Sequence, residues 1–327
     1  MAVRNPIRPA TGVEILDLRH FSSADLRPLL DEEVKMWGEM LAWDYRSSSE
    51  MILRYVDAKI LPGYAAVERG SLVGYGFFVY EGSKGVIGDL FVSPLRADAH
   101  AVEVRLLEHI IETLQQSPGV HRVEAQLLTH QTGELAEPFM ANGFQRFRRL
   151  FLCLDLSRHG AKTQPGAVPV SGIQIRRWTE NDYQPAAGII TASYRAHIDS
   201  EINDQYRTGA GSMRFLNNIV RFPGCGVFDA DASFVAVHQP TNALIGLILC
   251  SRVRSDVGHV TQVCLLREHR GKGLGEGLLA CTCDVLRRRN FKLLTLTVTE
   301  ANHRAVDLYR KLGYEARRVF DAFVWEN

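Results

Sequence analysis

The chain has 327 residues, of which 46% are hydrophobic and 23% charged, and its formal net charge is +1. This length exceeds one typical domain and suffices for two, each with its own buried core. The near-neutral charge argues against bulk attraction to nucleic acid or to an anionic membrane. No apolar run approaches the roughly 20 residues of a membrane-spanning helix, and residues 1–6 lack the apolar core of a signal peptide.

The cysteine spacing bears on the redox environment and on metal binding. The chain has six cysteines at irregular intervals, which is not typical of a disulfide framework. Cys281 and Cys283 lie within a helical pattern, with no Cys/His pair to complete a zinc site. We therefore predict reduced structural cysteines, a cytoplasmic protein and no metal ion.

One order of elements occurs twice along the chain. The first half reads as a strand (13–18), a helix reaching residue 41, three strands (64–67, 72–80, 86–92), a helix (101–114), a strand (120–128), a short helix ending at Gly143, and a strand (147–154). The second half repeats it from residue 173, with three strands (233–237, 244–250, 258–265), a helix (274–286), a strand (291–298), a short helix ending at Gly313, and a strand (318–325). This repeat predicts two similar domains, each closed by its own final strand.

The starts of the two halves also match residue by residue. Ser22 corresponds to Thr179 and Asp25 to Asp182, both at an offset of 157, and each hydroxyl residue is a candidate helix N-cap. The stretch 157–171, SRHGAKTQPGAVPVS, has the Gly, Pro and polar content of an exposed linker. The sequence therefore predicts three segments, a first domain, a linker and a second domain: 1–158, 159–170 and 171–327.

A glycine-rich turn in the second half joins a predicted strand to a predicted helix. It holds three glycines at alternate positions: Gly271, Gly273 and Gly275. Glycines let the backbone approach a ligand closely, and the free N–H groups of a first helical turn bind anions. Because Arg270 and Lys272 add positive charge, the turn predicts a phosphate site.

The turn does not fit two familiar phosphate loops. It lacks the pattern G-x-x-x-x-G-K-[ST], and the dinucleotide pattern G-x-G-x-x-G would require glycine where Glu276 stands. Its own pattern, R-G-x-G-x-G, resembles the acyl-CoA motif of the GNAT N-acetyltransferase superfamily. The segment from Asn302 to Tyr314, N-x-x-A-x-x-L-Y-x-K-L-G-Y, resembles the second motif of that superfamily and follows at the spacing the superfamily uses.

Through the repeat, the resemblance covers nearly the whole chain. It implies an α/β fold of two tandem GNAT-like acyl-CoA N-acyltransferase domains, in which helices flank a mixed, mostly antiparallel central sheet (α+β). It implies acetyl-CoA, or another acyl-CoA, as co-substrate. The catalytic domain would be the second, because that half carries both motifs.

The resemblance also assigns coenzyme A binding to named positions. The turn would hold the pyrophosphate: Arg270, Gly271, Lys272, Gly273, Leu274 and Gly275. The main chain of the fourth strand would hold the pantetheine arm: Val263, Cys264 and Leu265. Asn302 could cap the last helix, bond the pantetheine amide, or do both.

Acyl transfer to an amine needs an acid for the leaving thiolate and, unless the amine has a low pKa, a base. Tyr309 stands where the family places the acid, and a tyrosine pKa of about 10 suits a thiolate; the alternative is a packed aromatic. His259 is the candidate base, with a structural histidine as the alternative, and Asp256 and Glu300 are weaker candidates. A covalent route through Cys264 is disfavoured, because no histidine can be tied to it.

The first half lacks the same groups. Opposite the glycine turn it reads R-A-D-A-H-A from Arg96 to Ala101, so all three glycines become alanine and Asp98 replaces a lysine. Opposite the second motif it has Thr132 and Phe139 instead of asparagine and tyrosine. The added β-carbons and the acid would oppose a pyrophosphate, so we expect this half to be degenerate and non-catalytic, with a structural or substrate-shaping role.

The acceptor is less well defined. The segment 194–221 would line its pocket, with acids and aromatics that suit a small cationic amine: Tyr194, His197, Asp199, Glu201, Asp204 and Tyr206. We predict an N-acetyltransferase that moves an acetyl or other acyl group to a primary amine of a small molecule or peptide, by direct attack in a ternary complex.

Two rival functions stay open at this point. One is a non-catalytic acyl-CoA sensor, which would use the same turn without turnover. The other is an aminoacyl-tRNA-dependent transferase, which the lack of a basic stripe disfavours. The expected partners are acyl-CoA and a small amine, without nucleic acid or membrane, and homodimerisation is left open.

Overall fold

The structure, a computed structural model, describes residues 12–158, 170–221 and 226–327. Of the predicted linker at 159–170, only Val170 lies within these residues. Residues 1–6 and Cys225 also lie outside them. The linear division of the chain into two domains stays a prediction.

The described chain forms two compact units, each assembled from separate segments. The first unit takes the chain up to Glu39, then Tyr45–Phe147 and Phe320–Asn327. The second unit takes Met40–Asp44 and Arg148–Val319. Neither unit is therefore a single continuous stretch of sequence.

The first unit is a sheet with helices on both faces. Its elements are β1 (Val13–Asp17), α1 (Ser23–Leu41), α2 (Arg46–Asp57), β2 (Gly63–Glu68), β3 (Ser71–Glu81), β4 (Lys84–Val92), α3 (Ala99–Gln116), β5 (Arg122–Gln126) and α4 (Ala136–Ala141), followed in the chain by β6 (Gln145–Asp155). The strands β1 to β5 pair in order, antiparallel except for the parallel pair β4–β5. Helices α1 and α2 pack on one face and α3 and α4 on the other.

The second unit repeats this layout. Its elements are β7 (Ile173–Arg177), α5 (Tyr183–Ser193), α6 (Ile198–Ile202), α7 (Gly209–Val220), β8 (Val227–Phe228), β9 (Phe234–His238), β10 (Ala243–Arg254), β11 (Val257–Leu265), α8 (Leu274–Arg288), β12 (Leu293–Thr299) and α9 (His303–Lys311), followed by β13 (Glu315–Glu326). The strands pair in the order β7, β9, β10, β11, β12, parallel only between β11 and β12, with β8 on β10. Helices α5 and α7 pack on one face and α8 and α9 on the other. The mixed, mostly antiparallel sheet flanked by helices is thus confirmed.

The last strands are exchanged between the sequence halves. From Arg148 onward β6 belongs to the second unit, where it pairs antiparallel with β12 from Leu293↔Asp155 to Thr299↔Arg149. From Phe320 onward β13 belongs to the first unit, where it pairs antiparallel with β5. The prediction that each half is closed by its own final strand is wrong, because apolar alternation fixes which face of a strand is buried but not which strand it pairs with.

The residue match between the two halves is a match in local structure. Ser22 N donates to Asp25 Oδ2 at 2.8 Å, and Thr179 N donates to Asp182 Oδ2 at 2.8 Å. The two hydroxyls donate to the same carboxylate oxygens, at 2.7 and 3.0 Å. In both halves, therefore, the carboxylate three residues after the hydroxyl residue accepts hydrogen bonds from both the N–H and the hydroxyl of that residue, at the start of the helical segment.

Strand β11 has a β-bulge against β10 at the point where its parallel pairing with β12 ends. Cys250 pairs with Val260 and Leu249 with Gln262, so the register of β11 with β10 passes over Thr261. The parallel pairing of β11 with β12 ends at the same place, with Val260↔Leu296. Since a bulge bends its strand and redirects the residues beyond it, the sheet opens into a gap between β11 and β12.

The first unit has the same bulge at the same point of its sheet. The register of β4 with β3 passes over Gly88, and the parallel pairing of β4 with β5 ends at Ile87↔Ala125. Asp89 in β4 therefore corresponds to Gln262 in β11. The backbone of the gap is shared by both units, so any difference in chemistry must come from side chains.

Phe323 in β13 offers a test of the strand exchange. Its ring stacks on Phe139 of α4, with centroids 4.0 Å apart, in the core of the first unit. We expect Phe323→Ala to destabilise that unit by about 3–5 kcal/mol and to speed amide hydrogen exchange in β5, which loses its packed neighbour. Hydrogen exchange read by mass spectrometry measures the effect.

Leu152→Ala in β6 is the matched variant, because Leu152 is buried in the second unit. It should speed amide exchange in β12 and leave β5 unchanged. The reverse pattern, with Phe323→Ala acting on β12, would contradict the strand exchange.

Candidate active site

The glycine turn connects the end of β11 to α8. Gly271 and Gly273 have φ values of 79° and 80°, in the left-handed region, and Gly273 is the N-cap of α8. The Gly277 amide donates to Gly273 O at 2.9 Å and so begins the helical ladder. The N–H groups that precede it in the first turn, including those of Leu274 and Gly275, are left for another acceptor. The turn has the local structure that the phosphate-site prediction requires.

Arg270 holds the turn in place. Its Nε donates to Leu265 O at 2.9 Å, and its Nη2 donates to Ser193 O at 2.6 Å. The guanidinium therefore ties the turn to the end of β11 and to the end of α5. A structural role is added to the phosphate role predicted for this arginine.

Two other cations lie at the turn. Lys272 is exposed within it, as the sequence predicts. Arg304 of α9 reaches it from outside: its Nη2 lies 2.8 Å from the point that a Cβ on Gly271 would occupy. Sequence reasoning missed Arg304, although it lies inside the second motif and the proximity of that motif to the turn could have indicated it. Both cations would favour an anionic ligand.

Gly275 has room for a Cβ within the protein. A Cβ built on it would meet Leu265 Cδ1 at 3.7 Å and Leu308 Cδ2 at 3.8 Å, both ordinary van der Waals distances. The fold therefore makes no steric demand for glycine at this position. Close approach of a ligand to the backbone is a separate reason to have glycine there.

The strand segment beyond the bulge lies beside the gap. Val263, Cys264 and Leu265 follow the last residue of β11 that pairs with β12. Backbone groups on the gap side of such a segment need another partner. This is the arrangement that the predicted pantetheine contacts require.

The second motif forms α9 and both of its ends. Asn302 is the N-cap, its Oδ1 accepting from Ala305 N at 3.4 Å. Gly313 is left-handed, with a φ of 91°, and Tyr314 N donates back to Tyr309 O at 3.0 Å. The predicted helix stop is confirmed.

Tyr309 is buried on α9. Its ring packs on Tyr314, with centroids 5.5 Å apart. Burial raises the pKa of Tyr309 well above its ordinary value, and the charge of Asp199 adds to the shift. The phenol therefore keeps its proton at neutral pH, as a general acid must, and Asp199 lies within electrostatic reach of it.

An aromatic cluster lies on the α5/α7 face of the sheet next to the bulge. Tyr194 OH donates to Gln262 Oε1 at 2.6 Å, and the Tyr194 ring stacks on Tyr206 with centroids 4.3 Å apart. Burial raises the pKa of both phenols. Because Gln262 is the first residue of β11 beyond the bulge, the bulge aims it at these rings.

His197 and Asp199 join this cluster to the ends of β12 and α9. Asp199 N donates to His197 Nδ1 at 3.2 Å, and the Asp199 carboxylate lies 3.5 Å from the same nitrogen. Thr299 Oγ1 donates to Asp199 Oδ1, and His197 Nε2 lies 3.4 Å from Asn302 Nδ2. Burial lowers the pKa of His197, although Asp199 opposes the shift. The imidazole is thus neutral at pH 7 and placed between two elements that border the gap.

Four of the six residues predicted for the acceptor pocket converge here: Tyr194, His197, Asp199 and Tyr206. Glu201 instead pairs with Arg207 at 3.4 Å, and Asp204 opens the 3₁₀ turn Asp204–Arg207. The sequence predicted the segment, but its spacing did not show which side chains would meet.

His259 is buried in the second unit. Its Nδ1 lies 2.8 Å from Thr295 Oγ1, and its ring lies 4.9 Å from that of Trp43 and 6.0 Å from that of Phe151, between centroids. Burial lowers the pKa of His259 to about 3. A base must reach the acceptor and gain a proton near neutral pH, so these contacts argue against the base role predicted for His259 and favour the structural alternative.

The remaining catalytic candidates are engaged elsewhere. Asp256 pairs with Arg254 at 2.6 Å, and Glu300 pairs with Arg148 at 3.3 Å. Burial raises the pKa of Cys264 to about 12, so its thiol is not ionised at neutral pH. A covalent route through this cysteine is therefore disfavoured on chemical grounds as well.

The corresponding turn of the first unit is neutralised internally. Arg96 pairs with Glu68 at 3.0 Å and with Asp98 at 2.9 Å. Helix α3 begins at Ala99, directly after Asp98. A carboxylate thus stands at the helix N-terminus that an anionic ligand would need.

Buried carboxyl groups lie beyond the bulge of β4. Tyr45 OH donates to Asp89 Oδ2 at 2.6 Å, and Glu33 accepts from Trp37 Nε1 at 3.0 Å and from Tyr75 OH. Burial, with a further contribution from Asp89, raises the pKa of Glu33 well above its ordinary value. The first unit therefore has its own acidic side chains where the second has Gln262.

Three further findings concern the described ranges alone. They contain no helix with both the length and the hydropathy to cross a membrane. They contain no group of three His, Cys, Asp or Glu residues placed to hold a metal ion. Five of their cysteines are free thiols: Cys153, Cys250, Cys264, Cys281 and Cys283.

Sequence comparison finds acetyltransferases. Residues 201–314 match the profile described as the Acetyltransferase (GNAT) family. N-alpha-acetyltransferase 30 of Schizosaccharomyces pombe is 27% identical over 89 residues, and glucosamine 6-phosphate N-acetyltransferase of Trypanosoma brucei brucei is 28% identical over 88 residues. Each alignment takes in 25% of this chain, and they cover 56% and 58% of those relatives. The chain thus spans little more than half the length of the curated relatives it matches.

Two solved structures resemble the fold over almost the whole chain. A tandem GNAT protein from the clavulanic acid biosynthesis pathway has a TM-score of 0.61 at 17% identity, with 96% of this chain and 98% of that chain covered. A GCN5-related N-acetyltransferase from Sphaerobacter thermophilus has a TM-score of 0.66 at 17% identity, with 96% and 95% covered. The likeness shows the tandem GNAT fold, and the profile match shows that residues 201–314, within the second unit, resemble the Acetyltransferase (GNAT) family.

Proposed function

We propose that the second unit binds acetyl-CoA, or another acyl-CoA, and transfers the acyl group to a primary amine of a small molecule or peptide. One observation carries the proposal: the segment of β11 beyond the bulge runs directly into the glycine turn and the first turn of α8. A peptide-like arm bearing a diphosphate would meet main-chain groups first and free N–H groups next. The bound thioester supplies an activated acyl group.

The side chains at the gap supply the proton transfers. The amine nitrogen attacks the thioester carbonyl carbon, so that a C–N bond forms and the C–S bond breaks. Tyr309, kept protonated by its raised pKa, would give its proton to the departing sulfur. Backbone N–H groups beyond the bulge would polarise the carbonyl oxygen.

We further propose His197 as the base, in place of His259. The side chain of His197 is 23% exposed and Asp199 lies beside its Nδ1. In the tautomer that would act as the base, Nδ1–H is directed at that carboxylate in place of the bond that Nδ1 accepts from Asp199 N, and Nε2 then has a lone pair for the proton of the amine. The lowered pKa of His197 keeps this form populated at neutral pH.

The first unit, on this proposal, is non-catalytic. Support comes from the ion pairs of Arg96 at its turn and from the buried carboxyl groups Glu33 and Asp89 beyond its bulge, where the second unit has the uncharged Gln262. Its sequence half still takes part in the active unit, because it supplies β6.

Gly275→Val tests the anion site alone. The fold has room for a Cβ at this position, and the branched side chain would crowd a diphosphate that approaches the N–H groups of α8. We expect the protein to stay folded and its affinity for acetyl-CoA to fall by about 100-fold, or about 2.7 kcal/mol, in isothermal titration calorimetry.

The matched variant is Ala101→Val in α3, which should leave the affinity unchanged. The wild type should bind one acetyl-CoA per chain. Two sites per chain would contradict the non-catalytic first unit, and an unchanged affinity in Gly275→Val would contradict the anion site.

Tyr309→Phe tests the acid. Removing the proton donor should lower kcat by about 100-fold and leave the dissociation constant of acetyl-CoA unchanged. Release of free thiol with a panel of amines measures the rate. Tyr314→Phe is the control, because the Tyr314 hydroxyl is buried and has no hydrogen-bond partner in the part of the chain that the structure describes. Binding without thiol release for every amine would favour the non-catalytic sensor.

The pH profile of kcat tests His197. Because its pKa lies below the usual 6.5, the base form is lost only as the pH falls through that lower value, and the acid limb should have its midpoint there. Tyr309 should add no alkaline limb below about pH 10, since its pKa is raised. His197→Asn should remove the acid limb, while His238→Asn should keep it; an unchanged limb in His197→Asn would refute the role.

A further inference from the structure

We infer that Arg149, which the first sequence half supplies to the second unit, binds an anionic group carried by the acceptor amine. The inference rests on the proposed acyl transfer and narrows its substrate class. The acceptor would be an amine that also bears a carboxylate or a phosphate.

The strand exchange sets the position of Arg149. In the antiparallel pair of β6 with β12, Arg149 lies opposite Thr299. Residues directly opposite each other share a face of the sheet, and Thr299 Oγ1 donates to Asp199 on that face. Arg149 Nη2 donates to Thr297 Oγ1 at 3.4 Å, one position along the same face of β12. Arg149 therefore borders the cluster that contains His197 and Asp199.

The electrostatics of Tyr206 agree with this placement. The charge of Asp199 raises the pKa of this buried phenol and the charge of Arg149 lowers it, both after the larger effect of burial. A single hydroxyl thus feels an anion and a cation from two different elements. The cluster therefore has an anion, Asp199, and a cation, Arg149, near the same hydroxyl.

Arg149 has fewer partners than a buried arginine normally keeps. Its Nε is buried without a hydrogen-bond partner, and no carboxylate of the described residues forms an ion pair with it. Its neighbours differ: Arg146 pairs with Asp321 at 3.0 Å and Arg148 with Glu300 at 3.3 Å. A half-buried guanidinium with an unsatisfied donor is costly unless a ligand completes it.

The chemistry of the missing partner follows from the donor. Guanidinium groups bind carboxylates and phosphates through two parallel N–H bonds, which a neutral ligand cannot accept as well. The Asp199 carboxylate could form an ion pair with the ammonium group of the acceptor, before that ammonium group loses its proton. An amine with an anionic group a few bonds away would satisfy both charges.

The same anion could instead belong to the acyl chain, as in succinyl-CoA. We place it on the acceptor because Arg149 lies on the α5/α7 face, with the cluster of His197 and Asp199. The glycine turn leads into α8, which packs on the opposite face of the sheet and would hold the diphosphate of coenzyme A.

The test compares matched amines that differ only in the anionic group. Suitable pairs are ethanolamine phosphate with ethanolamine, glucosamine 6-phosphate with glucosamine, and glycine with glycinamide. With acetyl-CoA as donor, we expect the wild type to prefer the anionic member by at least about tenfold in kcat/KM. Arg149→Met should remove that preference through KM, and Arg149→Lys should keep part of it. Arg148→Met, next to it in sequence and paired elsewhere, should keep all of it.

Several results would overturn the inference. These are a preference that survives Arg149→Met, a wild type that favours the uncharged amines, and acetyl-CoA binding without turnover of any anionic amine. A preference for succinyl-CoA over acetyl-CoA with uncharged amines, lost in Arg149→Met, would assign the anion to the acyl group instead. Failure of the wild type to bind acetyl-CoA would overturn the proposed function and this inference together, and titration of acetyl-CoA distinguishes that case from the others.

Discussion

One extra residue in β11 determines how the second unit can bind a ligand. Thr261 is passed over in the register with β10, and the pairing with β12 stops at Val260. Main-chain groups that leave a ladder must find other partners or remain unsatisfied at a free-energy cost. The turn held by Arg270, the aromatic cluster at Gln262 and the N-terminus of α8 all lie where the strand has been redirected. A binding site of this kind depends on backbone N–H and C=O groups of β11 that do not pair with β12.

The two units show what side chains add to a shared backbone. Both have the bulge and the parallel pair of strands that ends beside it. Both also have the hydroxyl residue bonded to an acid three residues later, before the first helix. In the first unit, Glu33 and Asp89 share a buried site and accept hydrogen bonds from Tyr75 and Tyr45. Burying two carboxyl groups together is tolerated only when one keeps its proton, which agrees with the raised pKa of Glu33. Loss of ligand binding there would need no change in the fold.

Sequence reasoning succeeded where the determinants are local. The period of apolar residues located most of the strands and helices, although α2 and β8 were missed. Gly313 marked the end of α9, and Ser22 and Thr179 marked equivalent caps. It failed where partners come from distant segments. Nothing near His259 indicates that Trp43 and Phe151 will enclose it, and nothing near His197 indicates that Thr299 and Asn302 will adjoin it. The partners of β6 and β13 were unpredictable for the same reason, since the apolar alternation of each strand shows which face is buried but not which strand it pairs with.

The exchange of final strands also affects how the chain folds during its synthesis. When β5 leaves the ribosome one of its two neighbours in the sheet has not been made, because the part of β13 that pairs with it, 322–326, comes after the second unit in the sequence. The edge of β5 and the hydrophobic surface around Phe139 then stay uncovered through most of translation, which is the condition under which nascent chains associate wrongly or recruit chaperones. Completion of the first unit is thus coupled to the emergence of residues 320–326.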